Sequence, residues 1–102
     1  MAERIVVWTA TAVKQRREIL RYWTLRNKST KYCEKLIRHI RKRITLILQK
    51  PESFKPTTYP DTRESAMGNF SIYYKITGTQ LIVTAFWDNR QDPVKLLEIL
   101  EK

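Results

Sequence analysis

Two regimes of hydrophobic spacing predict an α+β fold: a small antiparallel sheet with an N-terminal helical hairpin packed on it, in the order βααβββα. From Ala12 to Leu48 the apolar residues recur every three to four positions, the period of helices that bury one stripe. From Arg63 to Trp87 they alternate or run together over short stretches, as strands do. Pro51, Pro56 and Pro60 stand between the two regimes and separate them.

The elements follow in order. Arg4 to Trp8 is rich in β-branched residues and predicts a first strand, after which Thr9 or Thr11 can cap a helix. That helix is expected over Ala12 to Arg26, with Ala12, Val13, Ile19, Leu20 and Trp23 on its buried stripe. Asn27-Lys28-Ser29 breaks the pattern, and Ser29 can cap a second helix running to Pro51. On it, Cys33, Leu36, Ile37, Ile40, Ile44, Ile47 and Leu48 form the stripe, while Lys31, Lys35, Arg38, Arg41, Lys42 and Arg43 face water. A short break between two long helices predicts an antiparallel hairpin. The stretch from Pro51 to Asp61 reads as an irregular loop. Strands follow at Arg63 to Met67, Phe70 to Ile76 and Gln80 to Trp87, with Gly68-Asn69 and Gly78 as turns. Asp92-Pro93 supplies an N-cap and a first helical residue for a final helix through Leu100.

A chain of 102 residues with 42% hydrophobic composition fits one core and is too short for two, so residues 1–102 are expected to form one domain. Its apolar runs fall short of the roughly 20 residues of a membrane span. The N-terminus lacks the long apolar stretch of a signal peptide, which predicts a cytoplasmic protein with no membrane partner. The single cysteine, Cys33, agrees with a reducing compartment. With no glycine-rich phosphate loop and no cysteine–histidine cluster, neither a cofactor nor a metal is expected.

The net charge of +10 is unevenly placed. Residues 1–50 hold 14 Lys and Arg against 3 acids, giving +11, and residues 51–102 hold 6 against 7, giving −1. A basic half of this kind suits a polyanionic partner, either nucleic acid or an acidic protein segment.

The N-terminal VVWTATA, the helical hairpin, the MGNFSIYYKI strand and the closing FWDNRQDP together resemble the RelE/ParE superfamily of type II toxin–antitoxin toxins, across nearly the whole chain. The resemblance implies a plasmid-stabilisation-type toxin whose growth inhibition is neutralised by a cognate antitoxin with an acidic amphipathic segment. It also implies one of two targets. ParE-like members inhibit DNA gyrase; RelE-like members are metal-independent mRNA interferases that cleave messenger RNA on the ribosome. Cleavage by a ribose 2′-hydroxyl requires removal of its proton, protonation of the leaving oxygen and cations for the developing charge.

The side chains available for that chemistry are Arg90, Arg63, Lys75 and Tyr73, with Tyr59 and Tyr74 as further proton donors. Lys55, Arg38, Arg41 and Lys42 are candidates for nucleic-acid or target binding. Arg90 matches the family's small residue and arginine after the closing strand. Where nuclease members carry an arginine after the glycine turn, this chain has Ser71, which favours the ParE-like reading. The alternatives are the RelE-like nuclease and a non-toxic nucleic-acid-binding or protein-binding member of the superfamily. Arg90 has an equally plain structural reading, an ion pair with Asp88 or Asp92 at the strand-to-helix corner. His39 and Cys33 read as ordinary helix positions, and Trp8, Trp23 and Trp87 as core. Tyr73, on the less apolar strand face, is a candidate to stack on a base.

Overall fold

Thr9 decides where the first strand stops. Its backbone is extended and its hydroxyl accepts from the Ala12 N–H at 3.1 Å, so strand β1, Ile5–Trp8, gives way at once to helix α1, Ala10–Asn27. The computed structural model describes residues 4–92 and 94–96. α1 closes on Lys28 in the left-handed region (φ 52°), whose N–H donates to the Thr24 carbonyl. Ser29 then accepts from the Lys31 N–H at 3.2 Å and helix α2 runs from Lys31 to Gln49. Cys33, Leu36, Ile40, Ile44 and Ile47 are all buried on it, the stripe its spacing predicted. The Cys33 thiol donates to the Leu20 carbonyl at 3.1 Å and ties the two helices together. Arg43 departs from expectation: it is half-buried and its guanidinium donates to Ser65 Oγ and the Ala66 carbonyl, a tether from helix to sheet.

Beyond α2 the proline-rich stretch is more regular than its composition suggests. Pro51–Ser53 forms a 3-10 turn and Lys55–Pro56 a two-residue strand, β2. Pro56 is tolerated there because β2 is the edge of the sheet. Strands β3 (Arg63–Met67), β4 (Phe70–Ile76) and β5 (Gln80–Asp88) complete a sheet ordered β1-β5-β4-β3-β2. Three of its pairings are antiparallel, but β1 lies parallel to β5, Ile5 opposite Gln80 and Trp8 opposite Val83. The sheet is therefore mixed, and the long connection that a parallel pair requires carries the helical hairpin together with β2, β3 and β4.

Gly68, at φ 62° between β3 and β4, occupies the left-handed conformation that a glycine adopts without steric cost. Between β4 and β5 the register slips: Tyr73 pairs with Ala85 and Tyr74 with Val83, leaving Thr84 as an extra residue. The bulge lets Val83 and Phe86 both join the core facing the helices, while Ala85 and Trp87 join a smaller cluster with Tyr73. The main core includes Ile47, Ile72, Tyr74, Leu81, Val83 and Phe86, none with measurable exposure, each apolar side chain contributing about 1.5–3 kcal/mol. Gln15 sits on the buried stripe of α1, and its Oε1 accepts from the Phe86 N–H at 2.9 Å. It supplies β5 with a hydrogen bond where β1 has already ended. Asp92 caps the residues after β5 through Val94 N–H to Oδ1 at 2.9 Å, and Val94 to Leu96 are helical. Pro93 and the rest of the expected final helix lie outside the described residues. No helix among them is long and apolar enough to cross a membrane.

The two buried tyrosines make stability sensitive to alkali. Burial and the neighbouring Glu64 carboxylate push the Tyr73 phenol up to about 12; burial, opposed by the charge of Arg63, pushes Tyr74 to about 12. The fold favours the neutral phenol, so this stability is complete below the unfolded value near 10 and lost as the pH rises towards 12. The unfolding free energy from urea titrations should fall above about pH 10, by up to about 1.4 kcal/mol per phenol per pH unit. A Tyr73→Phe/Tyr74→Phe variant should show a shallower decline.

Candidate functional site

The sheet's two faces and the α1 end of β5 distribute the candidate residues into three places. On the face away from the helices, β3 and β4 bring Glu64 opposite Tyr73 and Ala66 opposite Ser71. Ser71 is fully buried; its hydroxyl donates to Glu64 Oε2 at 2.7 Å and accepts from Asn89 Nδ2 at 2.9 Å. The Tyr73 hydroxyl donates to the same carboxylate oxygen at 3.3 Å. The network satisfies each hydroxyl and fixes the closing loop to the sheet. Tyr73, 6% exposed, offers no open ring for a base, and its raised pKa keeps it neutral. This corrects the expectation of a stacking platform: its ring packs with Ala85 and Trp87 instead.

A second place is a cleft of about 510 Å³ that Arg63, Lys75 and Tyr59 line together with the loop after β2. Lys75 is exposed. The Arg63 guanidinium, however, donates to the carbonyls of Phe54 at 2.7 Å and Glu52 at 3.3 Å, so it anchors the loop that begins the cleft. Tyr74, the other tyrosine considered as a donor, has its hydroxyl committed to the Pro51 carbonyl at 2.6 Å.

The third place is Arg90. It makes a two-pronged ion pair with Asp88, Nε to Oδ1 and Nη2 to Oδ2 at 2.8 Å each, and its backbone N–H also donates to Oδ1. Its guanidinium lies 4.5 Å from the ring centroid of Trp23 and 5.5 Å from that of Phe70. Burial tends to raise the Asp88 pKa, but the hydrogen bonds from Arg90 outweigh it and hold the carboxyl below its ordinary range. Of the two acids considered as partners, the arginine takes Asp88. The pair walls a cleft of about 470 Å³ with Ile19, Tyr22, Trp23, Arg26 and Gln91.

The remaining candidates are separate from these clefts. Lys55 is exposed on the edge strand, and Arg38, Arg41 and Lys42 are exposed on α2. The structure thus joins Arg63 with Lys75 and leaves Arg90 and Tyr73 apart from them. Sequence reasoning missed Glu64 and Asn89, whose meeting with Ser71 depends on strand register and on the loop after β5. Among the described residues no three His, Cys, Asp or Glu side chains converge as metal ligands.

Comparison with known proteins agrees with this architecture. No curated protein sequence matches the chain. A solved structure described as the chromosomal ParDE toxin–antitoxin system from P. aeruginosa is similar in fold, with a TM-score of 0.70 at 15% identity, covering 82% of this chain and 94% of that one. The sequence profile of the ParE toxins of type II toxin–antitoxin systems, parDE, matches residues 6–93. With the profile spanning most of the sequence, from β1 to the proline after β5, the chain belongs to the ParE toxin family of type II toxin–antitoxin systems.

Proposed function

We propose that this toxin acts in the ParE manner, inhibiting DNA gyrase in the cytoplasm without cutting RNA, and that an antitoxin with an acidic amphipathic segment neutralises it. The observation that carries the reading is the Ser71 network. Where a nuclease of the superfamily needs a cation for the scissile phosphate, this chain holds a buried hydroxyl bonded to the Glu64 carboxylate. An anion there repels phosphate. Loss of one transition-state cation costs on the order of 3 kcal/mol, about a hundredfold in rate, by analogy with the loss of one oxyanion donor. Arg90 and Arg63 do not replace it readily, since one is paired with Asp88 and the other with loop carbonyls. An antitoxin of the proposed kind gains attraction from the +11 half and burial from the exposed Tyr22 and Leu25.

Purified toxin should inhibit gyrase supercoiling or trap cleaved DNA while leaving messenger RNA on programmed ribosomes intact. Cuts in the ribosomal A site with gyrase unaffected would reverse the assignment. The cleft shared by Arg63, Lys75 and Tyr59 is the observation that favours that second, RelE-like reading, because it places two cations beside a phenol, although Glu52 and Asp61 line it as well. Induction of the chain with and without the antitoxin separates both from a non-toxic binding role, which predicts unimpaired growth in each case.

A further inference from the structure

We propose that the outward face of the α1–α2 hairpin binds the phosphate backbone of duplex DNA, an interaction independent of which target the toxin inhibits. Lys31, Lys35, Arg38 and Lys42 fall at i, i+4, i+7 and i+11 along α2, and all are exposed. This spacing puts them on one stripe, opposite the buried Cys33, Leu36, Ile40 and Ile44. The stripe extends about 16 Å at 1.5 Å per residue, or roughly five base-pair steps of duplex. On α1, Lys14, Arg17 and Arg21 repeat the arrangement at i, i+3 and i+7, again exposed and opposite the buried Ala12 and Ile19. Two rigid rows of cations therefore lie side by side on an antiparallel pair.

These charges are not neutralised within the fold. Among the described residues the one ion pair is Arg90–Asp88; Glu34, beside the α2 row, accepts from the Thr30 hydroxyl, and Glu18, the one acid beside the α1 row, is exposed and leaves that row with a surplus of two positive charges. Such a surface releases the counterions of a polyphosphate when it binds, which is the main source of affinity for a nucleic-acid backbone. The rows also discriminate among polyanions. Single strands are held by aromatic side chains that stack on bases, but the aromatic residues of the hairpin, Tyr22, Trp23 and Tyr32, gather in their own cluster with centroids 5.1 and 5.4 Å apart and lie off the two rows. An amphipathic acidic peptide needs an apolar strip to bury; between Lys14 and Arg21 and between Lys31 and Lys42 the rows carry none, and the exposed Leu25 and Leu46 lie one turn beyond their ends. What remains is a regular, double-stranded backbone read by charge alone.

The test is fluorescence anisotropy of the purified toxin with a labelled duplex of about 20 base pairs and mixed sequence, titrated across salt. With four to five phosphates neutralised, log affinity should fall against log salt with a slope of about −4. Arg38→Glu/Lys42→Glu should weaken binding at least about tenfold at low salt and reduce the slope by about 2. Lys50→Glu/Lys95→Glu, which alters net charge equally at exposed positions away from the rows, should leave the slope near the parent's. Circular dichroism melts establish that both variants fold. Equal losses in the two variants would overturn the proposal, since net charge and not the rows would then govern binding. It would equally be overturned by absence of binding at low salt, by tighter binding to single strands, or by polyglutamate, an acidic chain with no apolar face, competing as well as duplex at equal charge.

Discussion

Arg90→Ala should melt well below the parent, and any loss of toxicity in that variant should be read against this loss of stability. The Asp88 side chain is 7% exposed and that of Arg90 43%, so removal of the arginine leaves a nearly buried carboxylate without its cation, though still facing the backbone N–H of residue 90 and the Trp23 indole. Breaking a fully buried pair in this way costs about 3–5 kcal/mol. Water reaches the arginine side of this pair, which discounts the figure to about 2–3 kcal/mol. The guanidinium also leaves the ring faces of Trp23 and Phe70, a further loss of about 0.5–1 kcal/mol. For a domain of this size each kcal/mol lowers the melting temperature by about 4–8 °C. Calorimetry should therefore show a fall of at least about 10 °C. The double variant Asp88→Asn/Arg90→Gln removes both charges and should recover part of it. An Arg90→Ala protein that melts with the parent but has lost toxicity would show instead that the arginine serves the target. The pH dependence follows from the lowered Asp88 pKa. The pair's contribution is complete above the unfolded carboxylate value, about 3.9, and disappears as the pH falls through the lower folded one.

Phe86→Ala should be more severe. Phe86 has no exposure; its ring stacks on Phe70 at 5.5 Å with 6° between planes, and meets Trp8 at 6.5 Å. It lies just past the bulge on β5, where Val83 and Phe86 both face the helices, so no neighbour along the strand can relax into the space. Phe→Ala in a core costs about 3–5 kcal/mol through lost transfer energy and the cavity left behind. Urea unfolding should give a midpoint shifted by that amount with little change in slope, whereas Phe86→Leu should retain more than half of the parent's stability at this site. A loss under about 1 kcal/mol would mean that the bulge does not hold this register.

How much of this was legible in the sequence varied with the range of the interactions. The stripe of α2 could be read directly, because Cys33, Leu36, Ile40, Ile44 and Ile47 follow a period that burial on one side imposes. The turn at Gly68 was equally visible, and the helix cap was narrowed to Thr9 or Thr11, of which the structure uses Thr9, each being a property of a few adjacent residues. Gln15 was not: a polar residue in a helical stripe reads as an interruption until the Phe86 N–H that it satisfies is located. The parallel pairing of β1 was missed for a related reason, since alternation along a strand says nothing about its neighbour's direction. At the candidate site Ser71 was noticed only as the absence of an arginine. Its replacement chemistry, the Glu64 carboxylate and Asn89 amide, comes from residues 7 and 18 positions away and becomes apparent only when the strand register is known. The Arg90–Asp88 pair, two residues apart, was among the alternatives that sequence could offer because both partners lie in one loop.

The parallel pairing of β1 with β5 has a consequence for the order in which the toxin comes into being. Thr9 bonds Val83 and Thr84, the latter 75 residues away, so the first strand has no partner until β5 has been made. Contacts of such sequence separation slow folding, because the loop must close before its pairing contributes stability. A nascent chain that has completed both helices and even β4 still lacks the strand that joins β1 to the rest of the sheet, the core positions Leu81, Val83 and Phe86, and the Asp88–Arg90 corner. Growth inhibition should therefore be a property of the finished polypeptide alone: translation products truncated before residue 80 ought to be inert, and the interval between synthesis and closure is a period in which a waiting antitoxin can meet a chain that is not yet poisonous.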